Sequence, residues 1–119
     1  MKVVSYKDLT VWQKSMDLVE EVYEITKRLP KEERYSLISQ MQRAAVSIPS
    51  NIAEGKMRGT RKDYAHFLRI AFGSGAELET QIELVQRIYD IQGEDVNKAK
   101  GLLEEVMKML NVMIQKLSL

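Results

Sequence analysis

The sequence predicts an all-α protein, an up-down-up-down antiparallel four-helix bundle formed by a single domain over residues 1–119. Apolar side chains recur at alternating steps of three and four residues along most of the chain, which is the period of helices that bury one face. The breaks between these segments are short, and short connections favour antiparallel packing of successive helices. No strand pattern or internal repeat competes with this interpretation.

Composition supports the same class. Apolar residues make up 45% and charged residues 29% of the chain, with 6 Gly and 2 Pro, which is typical of a globular domain. The absence of cysteine excludes disulfides and thiolate metal sites and favours a reducing compartment, so we expect a cytoplasmic protein. The sequence shows no signal peptide and no apolar run of membrane-spanning length, so we expect no membrane insertion.

The first two helices are predicted over residues 9–29 and 31–54. Pro30 separates them because proline cannot continue a helix, and Gly55 is predicted to end the second one. Pro49 lies inside the second segment, where it removes one backbone N–H, and we expect it to kink helix two.

The third and fourth helices are predicted over residues 60–91 and 94–117. Helix three carries two apolar lines, and two lines on one helix predict two burial partners. The first line contains Tyr64, Leu68, Ala71, Gly75, Leu78, Ile82, Val85 and Tyr89. The second contains Phe67, Ile70, Ser74, Glu77, Gln81, Leu84, Ile88 and Ile91. We therefore expect a homo-oligomer, with Trp12, Tyr23 and Tyr89 as candidate interface anchors.

The segment RAAVSIPSNIAEG, residues 43–55, places a polar strip beside the apolar face of helix two. We expect a polar layer in which Arg43 or Asn51 reaches Glu77, buried between helices two and three or between subunits. Such a layer specifies the alignment of helices more than it adds stability. Its candidate members are Arg43, Ser47, Asn51, Glu54, Glu77 and Gln81.

Candidate catalytic chemistry is sparse. His66 is the only histidine, which is too few for the paired Glu-x-x-His motifs of a di-iron bundle. The glycines of FGSGA lie within a predicted helix with no strand before it, so they do not form a nucleotide loop. Gly73 and Gly75 instead predict close approach of another backbone. We expect no catalytic, metal or cofactor site and no enzymatic activity.

A basic segment, residues 55–62, has four cations in eight residues. On a flexible connection bounded by glycine, these charges could clamp phosphates; the alternative is a solvated turn between helices. The candidate nucleic-acid contacts are Arg43, Lys56, Arg58, Arg61, Lys62 and Arg69.

Three stretches carry a family resemblance: LTVWQKSMDLVEEVY (9–23), SQMQRAAVSIPSNIAEG (39–55) and HFLRIAFGSGAELETQIELV (66–85). Together they resemble the 23S rRNA-intervening sequence proteins, four-helix bundles of bacteria. The resemblance implies a homopentamer with no assigned enzymatic activity and a largely unknown role.

A related branch comprises the accessory proteins of diversity-generating retroelements, whose strongly basic pentamer binds a reverse transcriptase and nucleic acid. The basic positions that match are Arg43, Arg58, Arg61, Lys62 and Arg69. Gln42 stands where the family often has a second basic residue, and the formal net charge here is only +1. Both departures argue against the accessory role, because affinity for phosphate rises with positive charge.

The expected function is therefore a non-enzymatic scaffold or adaptor that forms a homo-oligomer, with pentamer as the implied state. Its expected partners are copies of itself and a further protein. The alternative is an accessory protein that binds RNA or DNA weakly, by charge, through residues 55–62.

Overall fold

The computed structural model describes residues 5–119, which form four long helices and no strand. The helices are α1 (Thr10–Thr26), α2 (Ser39–Arg58), α3 (Arg61–Tyr89) and α4 (Glu94–Leu117). Each packs against two others, in the cyclic order α1, α2, α3, α4. The overall extents of 49 × 21 × 21 Å match helices that run along one axis. The predicted all-α four-helix bundle is confirmed.

A short 3-10 turn, Tyr6–Asp8, leads into α1 and is closed by a capping box. The Lys7 N–H donates to the Ser5 hydroxyl at 3.1 Å, and the Ser5 N–H donates to the Asp8 carboxylate at 3.2 Å. These bonds satisfy donors that a helix start leaves free. The α-helix itself ends at Thr26, three residues before the predicted end at residue 29.

The chain enters α2 through two non-α turns. Lys31–Glu33 is a 3-10 turn and Arg34–Ile38 is a π turn, in which Ser36 has φ −126° and ψ −108°, outside the helical region. The predicted helix over residues 31–54 is therefore α-helical only from Ser39 onward. Tyr35 lies in the π turn and is 88% exposed.

The predicted end of helix two at Gly55 is wrong. The helix continues through Pro49 and Gly55 to Arg58, and the residue that ends it is Gly59, whose φ of 88° is left-handed. Gly55 is buried, and a Cβ there would lie 2.8 Å from the Cβ of Phe67 on α3. Its glycine serves close packing of two helices, which the sequence does not distinguish from a helix stop. A kink at Pro49 stays a prediction.

All four helices contribute to one apolar core. The largest fully buried side chains include Leu18, Ile25, Met41, Ile48, Ile52, Leu68, Leu78, Ile82 and Leu110. Burial of each such side chain contributes about 1.5–3 kcal/mol to folding. The first predicted line of helix three is confirmed as core-facing from Leu68 to Val85.

No helix within residues 5–119 combines the length and apolar character needed to cross a bilayer.

Candidate interaction surfaces

The basic segment, residues 55–62, is mostly helix. Its first four residues form the last turn of α2, and Arg61 and Lys62 open α3, so only Gly59 and Thr60 connect the two. The Thr60 hydroxyl caps α3 by accepting the N–H of Asp63 at 3.1 Å. The predicted flexible connection is therefore wrong, because these cations are attached to two helix ends, whereas phosphate binding by them stays a prediction.

Two cations at the end of α2 lie over aromatic rings of α3. The Cζ of Arg58 is 5.1 Å from the centre of the Phe67 ring, and its Nε donates to Glu54 at 2.9 Å. The Nζ of Lys56 is 5.6 Å from the centre of the Tyr64 ring, and burial raises the pKa of that phenol. Both cations thus make attractive contacts inside the chain.

Two further cations hold the end of α4. Arg61 donates from Nη2 to the carbonyl oxygen of Lys116 at 2.8 Å, and Arg69 donates to the hydroxyl of Ser118 at 3.0 Å. That hydroxyl donates in turn to the carbonyl oxygen of Ile114 at 2.8 Å. The Lys116 carbonyl oxygen is one of the backbone acceptors that a helix C-terminus leaves free, and positive charge is favourable at this end of a helix.

Nothing in the sequence indicates that Arg61 and Arg69 hold α4, because their partners lie 55 and 49 residues away along the chain. Lys62 and Arg43 complete the predicted set of nucleic-acid contacts. Both are exposed, and neither has an ion pair or hydrogen bond among residues 5–119.

A small polar layer lies between α2 and α3. The hydroxyl oxygens of Ser47 and Ser74 are 2.8 Å apart, and Nδ2 of Asn51 donates to the Ser47 hydroxyl at 2.9 Å. Because the Ser47 oxygen accepts from Asn51, its own proton is free to bond Ser74. The same Nδ2 donates to the carbonyl oxygen of Ser47 at 2.8 Å.

The charged candidates for this layer lie outside it. Glu54 is exposed and pairs with Arg58. Arg43 and Glu77 are both exposed, and no hydrogen bond or ion pair joins them in the described part of the chain. Within one chain the predicted contact between them is therefore wrong. Gln81 is buried, and its Oε1 accepts no hydrogen bond from residues 5–119.

The second predicted line of helix three divides in two. Ser74, Gln81 and Ile91 are buried within the chain. Ile70, Leu84 and Ile88 point outward with exposed fractions of 39%, 40% and 58%. These three share one side of α3 with Gly73 and Glu77, and we call this side the α3 stripe.

The three candidate interface anchors have different surroundings. Trp12 is half-buried and meets the ring of Tyr6 edge-on, with ring centres 5.5 Å apart. Tyr89 is half-buried, and its phenol donates a hydrogen bond to the carboxylate of Glu33, which raises the pKa of Tyr89. Tyr23 remains 41% exposed. Only Tyr23 presents much of its ring to solvent.

A groove that the sequence does not reveal lies between α1 and the start of α2. Its volume is about 820 Å³, and Tyr23, Arg34, Tyr35, Ile38, Arg43 and Val46 are prominent among the residues that line it. We call it the Tyr–Arg groove. Helix periodicity could not locate it, because the π turn that carries Arg34 and Tyr35 has a different residue spacing from an α-helix.

The single histidine of the chain is the first candidate for catalysis or metal binding. His66 is exposed and contacts the ring of Phe67 edge-on at 5.3 Å. No group of three metal-ligating side chains comes together between Ser5 and Leu119.

Comparison with known proteins gives the family. A crystal structure of a protein of unknown function from the S23 ribosomal protein family of Bacteroides thetaiotaomicron superposes with a TM-score of 0.79 at 27% identity. The match covers 88% of this chain and 98% of that one. No curated protein is significantly similar. Residues 7–112 match the family model described as 23S rRNA-intervening sequence protein. With nearly the whole bundle matched in sequence and in fold, the chain belongs to the 23S rRNA-intervening sequence protein family.

Proposed function

We propose that the protein is a non-enzymatic scaffold or adaptor that works as a homo-oligomer, a pentamer as the resemblance implies, with the α3 stripe at the contact between copies. The observation that carries this proposal is the alignment of three exposed apolar side chains, Ile70, Leu84 and Ile88, on one side of a single helix. Isolated apolar residues are common on protein surfaces, but an aligned set is typical of an interaction site.

Gly73 also supports the α3 stripe as the contact between copies. It lies in the middle of α3, where glycine costs about 1 kcal/mol relative to alanine. A Cβ at this position would have no neighbour within 4 Å, so packing within the described chain does not require a glycine. A helix from a second copy could approach closely there. Gly101 on α4 is equally open, but it has exposed Lys100 and Glu104 near it in place of apolar side chains.

The distribution of apolar surface also suggests how the copies associate. In a ring, each copy uses two different surfaces, one for each neighbour. A candidate second surface is the apolar depression between α1 and α2, near Trp12 and Met16. Burying apolar area of this kind contributes roughly 25 cal/mol per Å².

The test is the mass of the protein in solution, measured by sedimentation or light scattering at about 10 µM. We expect the wild type to have about five times the 13.7 kDa chain mass. The variant Leu84→Glu should dissociate, because it places a charge in the apolar contact. Circular dichroism should show that the variant keeps its helices.

The matched control is Val112→Glu, which puts the same charge on a 48% exposed apolar position of α4. We expect this variant to remain assembled. A wild-type protein that is monomeric at this concentration would refute the scaffold assembly. Dissociation of Val112→Glu with Leu84→Glu intact would instead place the contact between α1 and α4.

Weak RNA or DNA binding through residues 55–62 is supported less well. Arg58 and Arg61 already have partners within the chain, and Lys56 lies over Tyr64. Lys62 is the clean probe, since Lys62→Ala removes an exposed charge without releasing the end of α4. Loss of salt-sensitive RNA binding in this variant, at unchanged assembly, would favour the alternative.

A further inference from the structure

We propose that the Tyr–Arg groove binds a short stretch of single-stranded nucleic acid, with bases stacked on its tyrosine rings and phosphates held by its arginines. One chain forms the whole groove, so this site goes beyond the proposed assembly and does not depend on it. It also lies apart from the basic segment at the other end of α2.

The two arginines of the groove are unlike the others of the described chain. Arg34 and Arg43 make no ion pair and no hydrogen bond within residues 5–119. The remaining arginines each bond a carboxylate, a carbonyl oxygen or a hydroxyl: Arg28, Arg58, Arg61, Arg69 and Arg87. The two guanidinium groups in the groove therefore keep their full donor capacity for an external anion.

The lining of the groove lacks negative charge. No Asp or Glu contributes to it; beside the two tyrosines and two arginines stand Ile38, Val46 and neutral polar side chains. One of these, Gln42, is held by its Nε2, which donates to the hydroxyl of Thr26 at 3.2 Å. Two unopposed positive charges on an acid-free surface are complementary to an anionic ligand.

The two tyrosines of the groove indicate which class of anionic ligand it binds. Tyr35 is 88% exposed and Tyr23 is 41% exposed, so both rings can be reached by a flat partner. Bases of single strands stack on aromatic side chains, whereas those of a duplex already stack on each other. An acidic peptide would use the arginines but would have no flat rings in a purely acidic segment. Rings and unpaired guanidinium groups in one groove are the combination that single-strand binding sites use.

The two positive charges of the groove predict a modest affinity for single-stranded nucleic acid that depends only weakly on salt concentration. Two phosphates neutralised by Arg34 and Arg43 correspond to a slope of about −1.4 in the logarithm of affinity against the logarithm of salt concentration. Repetition of the groove on several copies would strengthen binding to a longer strand by avidity.

The experiment is fluorescence anisotropy with a labelled oligo(dT) of about 15 nucleotides, titrated with the full chain at about 50 and 200 mM salt. Tyr35→Ala should weaken binding of the oligonucleotide about 5- to 100-fold. Tyr35→Phe should bind it within about twofold of the wild-type affinity, because stacking needs the ring and not the hydroxyl. The double variant Arg34→Gln/Arg43→Gln should also weaken binding and should reduce the salt slope by about 1.4.

The matched control is Arg87→Gln/Lys100→Gln, which removes the same net charge from exposed positions outside the groove. It should bind nearly as the wild type does. Circular dichroism and solution mass should be unchanged in every variant, so failure of the groove proposal is distinguishable from failure of the assembly.

Four outcomes would overturn the proposal. The wild type could fail to bind the oligonucleotide, or the control could lose as much affinity as the groove variant. Equal competition by polyglutamate of similar length would show a site for acidic protein segments. Equal affinity for a duplex, with no effect of Tyr35→Ala, would show that bases do not stack in the groove.

Discussion

Gly55 shows at the scale of one residue how α2 and α3 come close together. A Cβ on Gly55 would lie 2.8 Å from the Cβ of Phe67 and 3.3 Å from the carbonyl oxygen of Tyr64. Neither atom can move without moving α3. Gly75 differs, because a Cβ there would meet the sulfur of Met107, which is near the end of a flexible side chain and can rotate away.

We expect Gly55→Ala to lower the free energy of unfolding by up to about 2 kcal/mol, because overpacking costs about 1–3 kcal/mol and the gain in helix propensity is about 1 kcal/mol. Urea denaturation measures the change. The control is Gly101→Ala, an exposed helical position with open space around it, which should raise stability by up to about 1 kcal/mol. Similar stabilisation by both substitutions would contradict the close approach of α2 and α3.

At the scale of an element, the end of α4 depends on α3. Arg61 and Arg69 bond the carbonyl oxygen of Lys116 and the hydroxyl of Ser118, in the last turn and just beyond it. The opposite end of the bundle is joined in a similar way. Arg28, just after α1, donates to Asp95 and to the carbonyl oxygen of Gln92, both at 2.8 Å. Basic side chains thus tie the helix ends to each other.

We expect Arg61→Gln/Arg69→Gln to fray the last turn of α4, because acceptors there lose their cationic donors. Amide hydrogen exchange over residues 114–118 should accelerate about 2- to 10-fold, with little change in the middle of the helix. Lys62→Gln removes a neighbouring exposed charge that has no partner in the described chain and should leave exchange unchanged. Uniform acceleration along α4 would indicate that the two arginines stabilise the whole bundle.

At the scale of the whole molecule, the proposed assembly predicts that stability depends on concentration. Association of folded copies stabilises the folded state by mass action. The Tm of the wild type should therefore rise by several degrees between about 1 and 100 µM. The Tm of Leu84→Glu should stay constant over the same range, since its copies remain separate. A constant Tm for both proteins would argue against association through the α3 stripe.

The pattern of buried faces was predictable from the sequence because it is local. Leu68, Leu78 and Ile82 follow the spacing of a helix with one buried side, and the structure buries all three. Helix boundaries were less predictable. Gly55 and Gly59 look alike in sequence, yet one packs against Phe67 and the other takes a left-handed φ of 88°. Their roles differ because α3 packs against Gly55, whereas a Cβ at Gly59 would have no neighbour within 4 Å.

The candidate sites show the same contrast between features that a local sequence pattern predicts and contacts that only the fold decides. Of the six predicted members of the polar layer, only Ser47 and Asn51 lie in the layer that the structure forms, and Ser74 joins them there. The sequence also marked Arg58, Arg61 and Arg69 as candidate nucleic-acid contacts. Only the folded chain showed that Glu54, Lys116 and Ser118 occupy them.

The sequence by itself determined four helices, their core faces and the family, since periodicity and motif are properties of neighbouring residues. Tertiary structure decided which cations are free. It left Arg34 and Arg43 without partners in the described chain, beside two exposed tyrosines, and it turned Ile70, Leu84 and Ile88 outward. The physical reason is that a side chain's partner depends on which distant residue the bundle brings within hydrogen-bonding or packing distance.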